Sequence, residues 1–186
     1  VIDSTDGAEN ITVGALPEGV VVLDPEVSGA AWIITDDGMA RHVVGIAAVS
    51  REPWRAHPAD LDGTGAADDI ILRADEAGTW VAVQAVADTY EVTDTHSDGP
   101  GAGHVGDFDG DGDTDVLTVT DTQVLVTETE ANTWGGSTVW LENPQHIAAV
   151  VTDADADGDD DLYVANGIDG IDLWASEDGS FGVELW

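Results

Sequence analysis

The chain contains no cysteine and no lysine, a single methionine, and only two phenylalanines and two tyrosines. Without cysteine, neither disulfides nor thiol chemistry is available. Without lysine, Arg41, Arg51, Arg55 and Arg73 carry every positive side chain, against 39 aspartates and glutamates and a formal net charge of −35. Such a surface is repelled by phosphate backbones and anionic headgroups, so nucleic acid and anionic membranes are poor partners. Apolar runs extend only a few residues, far short of the roughly 18 that a membrane span needs, so membrane insertion is not expected. Also missing are a Gly-x-Ser-x-Gly elbow, a His-Glu-x-x-His helix and a phosphate loop. We therefore expect no enzyme. The chain opens Val1-Ile2-Asp3 with no initiator Met and no basic-then-apolar leader. Either a signal peptide has been removed or the sequence is a piece of something longer.

What the chain has in abundance is aspartate, and its placement is ordered. Asp107-Phe-Asp109-Gly-Asp111-Gly-Asp113-Thr-Asp115 is followed 46 residues on by Asp153-Ala-Asp155-Ala-Asp157-Gly-Asp159-Asp-Asp161. Carboxylates at every second position repel one another unless a cation sits among them. A hard divalent ion such as calcium, taking six to eight oxygens at about 2.3–2.6 Å, supplies that charge. Gly110, Gly112 and Gly158 permit the positive φ that a tight wrap demands. Each ladder leads into an apolar stretch, Val116-Leu117-Thr118-Val119 or Leu162-Tyr163-Val164. Both are therefore metal loops entering β-strands.

An EF-hand loop would need flanking helices and a bidentate Glu at its twelfth position. The twelfth residues here are Thr118 and Val164, so the ninth, Asp115 or Asp161, must close the shell. The expected ligands are the side chains of positions one, three, five and nine with the carbonyl of position seven. That gives Asp107, Asp109, Asp111, Asp115 and the carbonyl of Asp113 in one loop. In the other it gives Asp153, Asp155, Asp157, Asp161 and the carbonyl of Asp159. A weaker copy starts 47 residues before Asp107, with Asp60, Asp62, Thr64, the carbonyl of Ala66, and Asp68. A fourth, Asn10 to Glu18, has lost most of its carboxylates and is expected to stay empty. About three calcium ions per chain follow, and they would cancel only about six of the negative charges.

A period in the forties points to a stacked or radial repeat such as a four-stranded propeller blade. Between the loops lie short stretches rich in β-branched and aromatic residues, bounded by turn formers, and no window holds a helical period. The reading is all-β: four blades of four antiparallel strands, at residues 1–52, 53–100, 101–144 and 145–186, in a single domain. At 186 residues and 42% hydrophobic content, the chain has enough apolar material for a real core.

The pattern Asp-x-Asp-Gly-Asp-Gly-x-x-Asp before an apolar strand resembles the calcium loop of FG-GAP/VCBS repeats. These repeats form the integrin α-subunit propeller and many secreted bacterial and archaeal propellers. The unit from Leu162-Tyr-Val-Ala-Asn166-Gly167 to Asp178-Gly179-Ser-Phe181-Gly182 is especially similar to the family's post-loop strands. The resemblance runs from about Ala56 onward and is faint before it. Family propellers usually have seven blades, whereas this chain has material for four. It would form a four-bladed ring, or an open segment completed by other copies or by further sequence.

Of the seven tryptophans, Trp32, Trp80, Trp140 and Trp174 fall in predicted strands as core. Trp54, Trp134 and Trp186 lie near strand or chain ends, available for burial or for stacking on a sugar. His57 and His104 each precede a loop by three residues, a structural position beside the loop. Together these features predict a non-catalytic, extracellular or cell-surface calcium-binding module serving adhesion, ligand binding or assembly of a surface structure or filament. Its partners would be other copies of itself or an extracellular protein or glycan. The alternative is a propeller module of a secreted carbohydrate-active enzyme. The acidic, lysine-free composition also resembles the bias of extreme halophiles, because molar salt screens the self-repulsion such a surface suffers.

Overall fold

The computed structural model describes the backbone at 14–16, 19–24, 30–35, 40–44, 54–74, 76–87, 89–130, 132–142, 146–166, 170–177 and 180–184. Side-chain environments are described for 55–142, apart from 75, 88 and 131, and for 149–163 and 165. Among these residues every regular element is a strand, and antiparallel pairing dominates. No helix among them is long and apolar enough to cross a membrane.

The first group is β1 (Gly14–Leu16), β2 (Gly19–Asp24), β3 (Ala30–Thr35) and β4 (Ala40–Val44), an antiparallel meander. The second meander is β5 (Trp54–Ala59), β6 (Asp69–Ala74), β7 (Thr79–Val86) and β8 (Thr89–Ser97). A third runs through β9 (Ala102–Gly106), β10 (Asp115–Val119), β11 (Gln123–Thr127) and β14 (Thr138–Glu142). Between β11 and β14 it carries a small hairpin, β12 (Thr129–Glu130) and β13 (Thr133–Trp134). The fourth comprises β15 (His146–Thr152), β16 (Asp161–Asn166), β17 (Gly170–Glu177) and β18 (Ser180–Glu184).

This layout departs from four separate blades in two respects. Strands β4 and β8 pair in parallel, Val43 with Tyr90 and Val44 with Glu91, and merge the first two meanders into one eight-stranded sheet. The sequence-predicted loop at Asn10 also contains strand β1, whose Gly14 and Leu16 pair with Val21 and Gly19. With few carboxylates to hold a metal, that stretch pairs its backbone instead; the rest of it lies outside the described residues. No closed ring is formed among the described residues.

Strands β6 and β10, which follow the first two described loops, are buried on both faces, which explains their continuous apolar runs. In β6, Ile70 and Leu72 join Val81, Val83 and Tyr90 on one side, while Ile71 joins Trp80, Ala82, Val116 and Trp134 on the other. In β10, Val116 belongs to that second cluster, whereas Leu117 and Val119 pack with Phe108, Val124, Val126 and Leu162. The second, third and fourth meanders therefore pack face to face in succession. The second residue of each of the first two described loops, Leu61 or Phe108, is wholly buried in these seams and anchors its loop.

The seam between the second and third meanders also holds a polar network at the end of the strands away from the loops. Buried Arg73 lies 4.2 Å from the Trp80 ring centre and donates to Thr118 Oγ1 at 3.3 Å and to the Gly101 carbonyl at 3.0 Å. Gly103 is needed there, since any Cβ at that position would collide with the Arg73 side chain. Thr118 Oγ1 also accepts from Trp80 Nε1 at 3.0 Å and donates to Asp98 Oδ2 at 3.0 Å. Ser137 Oγ donates to Asp98 Oδ1 at 2.6 Å, and His96 Nε2 lies 2.7 Å from the same oxygen.

Candidate metal centre

Each aspartate-rich loop joins the first and second strands of its meander: β5 to β6, β9 to β10, and β15 to β16. The three are built alike from backbone hydrogen bonds to their own carboxylates. Asp107 accepts from Gly110 N at 2.9 Å and from Gly112 N at 3.0 Å, and Asp109 and Asp111 each accept from the amide two residues on. Asp153, Asp155 and Asp157 repeat this with Ala156, Asp157 and Asp159, and Asp60 and Asp62 with Thr64 and Gly65. These bonds fold the chain back on itself, and the fourth and sixth residues take positive φ. The values are 63° and 80° at Gly63 and Gly65, 75° and 96° at Gly110 and Gly112, and 65° and 113° at Ala156 and Gly158.

Folding the ladder brings selected carboxylates together. One oxygen each from Asp107, Asp109 and Asp115 lie within 4.8 Å of one another, and the same holds for Asp153, Asp155 and Asp161. The fifth-position carboxylates, Asp111 and Asp157, are exposed and stand outside these triads. The seventh-position side chain turns away from its own loop: Asp113 packs on Gly63 and Asp159 on Gly110, each in the preceding loop.

The ninth residue is the most deeply placed. Asp115 is wholly buried and accepts from Phe108 N at 3.0 Å and Thr129 N at 2.7 Å. Burial pushes its carboxyl up to about 8, with the neighbouring Asp109 and Asp111 adding to the rise against the two backbone bonds. Burial likewise raises Asp107, Asp109 and Asp113, each with neighbouring aspartates contributing. Asp161 is equally buried and accepts from Ala154 N at 2.8 Å.

In the Asp60 loop the structure relocates this role. Asp68, the sequence-predicted closing residue, is exposed, as are Asp62, Thr64 and Ala66. Asp69 instead is buried, accepting from Leu61 N at 3.1 Å and Ala85 N at 2.7 Å, the same bonds that Asp115 makes. Its carboxyl is pushed up to about 6, chiefly by burial. The loop is one residue longer, and no carboxylate triad forms in it. The signal was present in the sequence: Asp69, like Asp115 and Asp161, immediately precedes its apolar strand.

The donor set tests the kind of ion. All converging atoms are carboxylate oxygens, hard ligands that suit calcium and not the softer transition metals. A buried carboxyl held far above its ordinary range by burial and like charge is also what a cation would relieve. Asp107, Asp109 and Asp115, and Asp153, Asp155 and Asp161, are the residues that would hold it. His57 and His104 occupy matching register positions opposite Ile71 and Leu117. Trp80 is core, Trp134 is nearly buried, and half-buried Trp140 meets Phe108 edge-on. The side chains of Trp32, Trp54, Trp174 and Trp186 lie outside the described residues.

No family model and no curated protein matches the chain. Among solved structures it is similar to an Agrocybe aegerita lectin described for specific recognition of non-reducing terminal N-acetylglucosamine. That match has a TM-score of 0.54 and 16% identity, over 68% of this chain and 36% of the other. A Bacteroides uniformis protein assigned as a 6-phosphogluconolactonase matches with a TM-score of 0.52 and 11% identity, over 90% and 50%. The Photorhabdus luminescens Tc holotoxin pore matches with a TM-score of 0.50 and 18% identity, over 98% and 9%. The chain thus spans half or less of each of these proteins, and at such identities the likeness is one of fold alone.

Proposed function

We propose that this chain is a non-catalytic, calcium-stiffened module of propeller-type β-repeats, of the FG-GAP/VCBS kind, working outside the cell. The observation that carries the reading is the twofold convergence of three carboxylates, Asp107 with Asp109 and Asp115, and Asp153 with Asp155 and Asp161. Two loops of different sequence fold to the same oxygen-only triad at the same point of their meanders. Loops of this type suit the millimolar calcium of extracellular fluids. A rigid stack of sheets held by ions fits adhesion, ligand binding or surface assembly, with a second copy, an extracellular protein or a glycan as partner. Calcium titration by calorimetry tests the reading directly. Two or more sites per chain are expected, with magnesium a poor competitor because it resists shedding its water. Fewer than two sites would overturn it. The acidic surface adds a halophilic habit, tested by whether molar salt raises the melting temperature of the calcium-free protein.

A further inference from the structure

Successive loops touch through one repeated pair of bonds. Thr114, the eighth residue of its loop, donates its backbone N–H to the carbonyl of Asp60 at 2.7 Å, while Asp60 N donates to Thr114 Oγ1 at 2.9 Å. At the next seam Asp160, again the eighth residue, donates its N–H to the carbonyl of Asp107 at 2.6 Å, and Asp107 N donates to Asp160 Oδ2 at 3.1 Å. The two seams share no residue, and the two side chains differ in chemistry, yet the reciprocal geometry is the same. Each pair grips the first residue of the preceding loop, whose carboxylate lies at the head of its ladder. Each gripping residue directly precedes the buried ninth aspartate of its own loop, Asp115 or Asp161. The fit is close: a Cβ added at Gly63 or Gly110 would collide with Asp113 or Asp159 of the loop that follows.

We propose that Thr114 and Asp160 are positioning residues that couple the metal loops in series, so that an ion bound in one loop raises the calcium affinity of the loop before it. The proposal rests on the calcium reading above. An ion in the Asp107 loop fixes the segment holding Thr114 and Asp115, and Thr114 in turn fixes the backbone that presents Asp60. Coupling between binding free energies is reciprocal, so an ion in the earlier loop favours the later one equally.

The test follows each loop separately in the full-length, isotope-labelled protein through the amide resonances of Gly65, Gly112 and Gly158, with calcium alone as the probe. Thr114→Val deletes the acceptor that Asp60 N uses and leaves the Thr114 N–H in place. Losing one such bond is worth about a fivefold shift of midpoint. Because the coupling is reciprocal, the Gly65 and Gly112 midpoints should both rise, by up to that factor, while Gly158 stays close to wild type, and Thr114→Ser should restore them. At the second seam, Asp160→Ala should raise the Gly112 and Gly158 midpoints and leave Gly65 close to wild type. Asp160→Asn, which keeps an oxygen acceptor but not the charge, should recover most of the shift. If Gly65 gives no calcium response, the Asp160 pair decides the matter. Midpoints that ignore these variants, or three glycines that shift together as general loosening would make them, would overturn the proposal and leave the calcium reading standing. No calcium response at any of the three glycines in wild type would overturn both.

Discussion

Asp115→Asn should act in opposite directions with and without calcium, because the same side chain is a liability in one state and a ligand in the other. Asp115 is wholly buried, and its carboxyl is pushed from 3.8 up to about 8. At pH 7 it is therefore neutral in the calcium-free fold and ionised in the unfolded chain. Taking up that proton on folding, from 3.8 to pH 7, costs about 4 kcal/mol. The amide removes this cost. It also turns an NH2 toward the N–H of either Phe108 or Thr129, which now meet the two carboxylate oxygens, a loss of about 1–3 kcal/mol. The net is a gain of about 1–3 kcal/mol without metal, or a melting temperature higher by about 2–10 °C for a chain of this size. With calcium the substitution removes a ligand. Saturation at 100 times the dissociation constant gives about 2.7 kcal/mol of stabilisation, and much of that should disappear. The assay is thermal unfolding at pH 7 in chelator and in millimolar calcium, wild type beside variant. The sign with pH also follows. A raised folded-state pKa means stability is greatest below 3.8 and declines as pH rises through about 8, so the calcium-free wild type should weaken over that window and the variant less. Equal destabilisation of both forms would refute the reasoning, leaving Asp115 as no more than an acceptor for two amides.

Four further outcomes are expected. Asp69→Ala leaves the amides of Leu61 and Ala85 unpaired, a loss of about 2–3 kcal/mol that should show in full below pH 3.8. At pH 7 the loss should shrink toward zero, because removing a carboxyl raised to about 6 returns about 3 kcal/mol. Exposed Asp68→Ala should be within about 0.5 kcal/mol of wild type in denaturant unfolding. Thr118→Val strands Trp80 Nε1, an Arg73 N–H and Asp98 Oδ2, and should cost about 2–4 kcal/mol by the same measurement. Ala156→Gly should stabilise the protein, since Ala156 sits at a φ of 65° and relief of left-handed strain is worth about 1 kcal/mol; an unchanged melting temperature would count against this. Chelation at low salt should lower the melting temperature, and molar sodium chloride should restore only the part owed to surface repulsion.

The aspartate loops and the strands after them were legible in the sequence because both obey local rules. Carboxylate spacing sets the loop, and apolar runs bounded by glycine and aspartate set the strands. What escaped detection was non-local or out of step. Asp69 was hidden by one extra residue in a stretch, Ala66-Ala67, that offers no carboxylate to count by. The β4–β8 junction rests on two residue pairs, too few to leave a pattern. The tie between loops was invisible because threonine at 114 and aspartate at 160 do not read as a repeat. They become equivalent only when the side-chain oxygen of each is seen facing the neighbouring amide.

That tie also bears on how such a chain could lengthen. The third meander carries both a reaching group, Thr114, and a receiving backbone, Asp107, so a tandem duplicate of it arrives with both halves of its own connection. Repeats can thus accumulate by gene duplication without a new contact surface having to evolve at each step. In the longer Asp60 loop the residue directly before the buried aspartate is exposed Asp68, and the stretch it would face, around Asn10, lies outside the described residues. The first two meanders are joined by backbone pairing between β4 and β8.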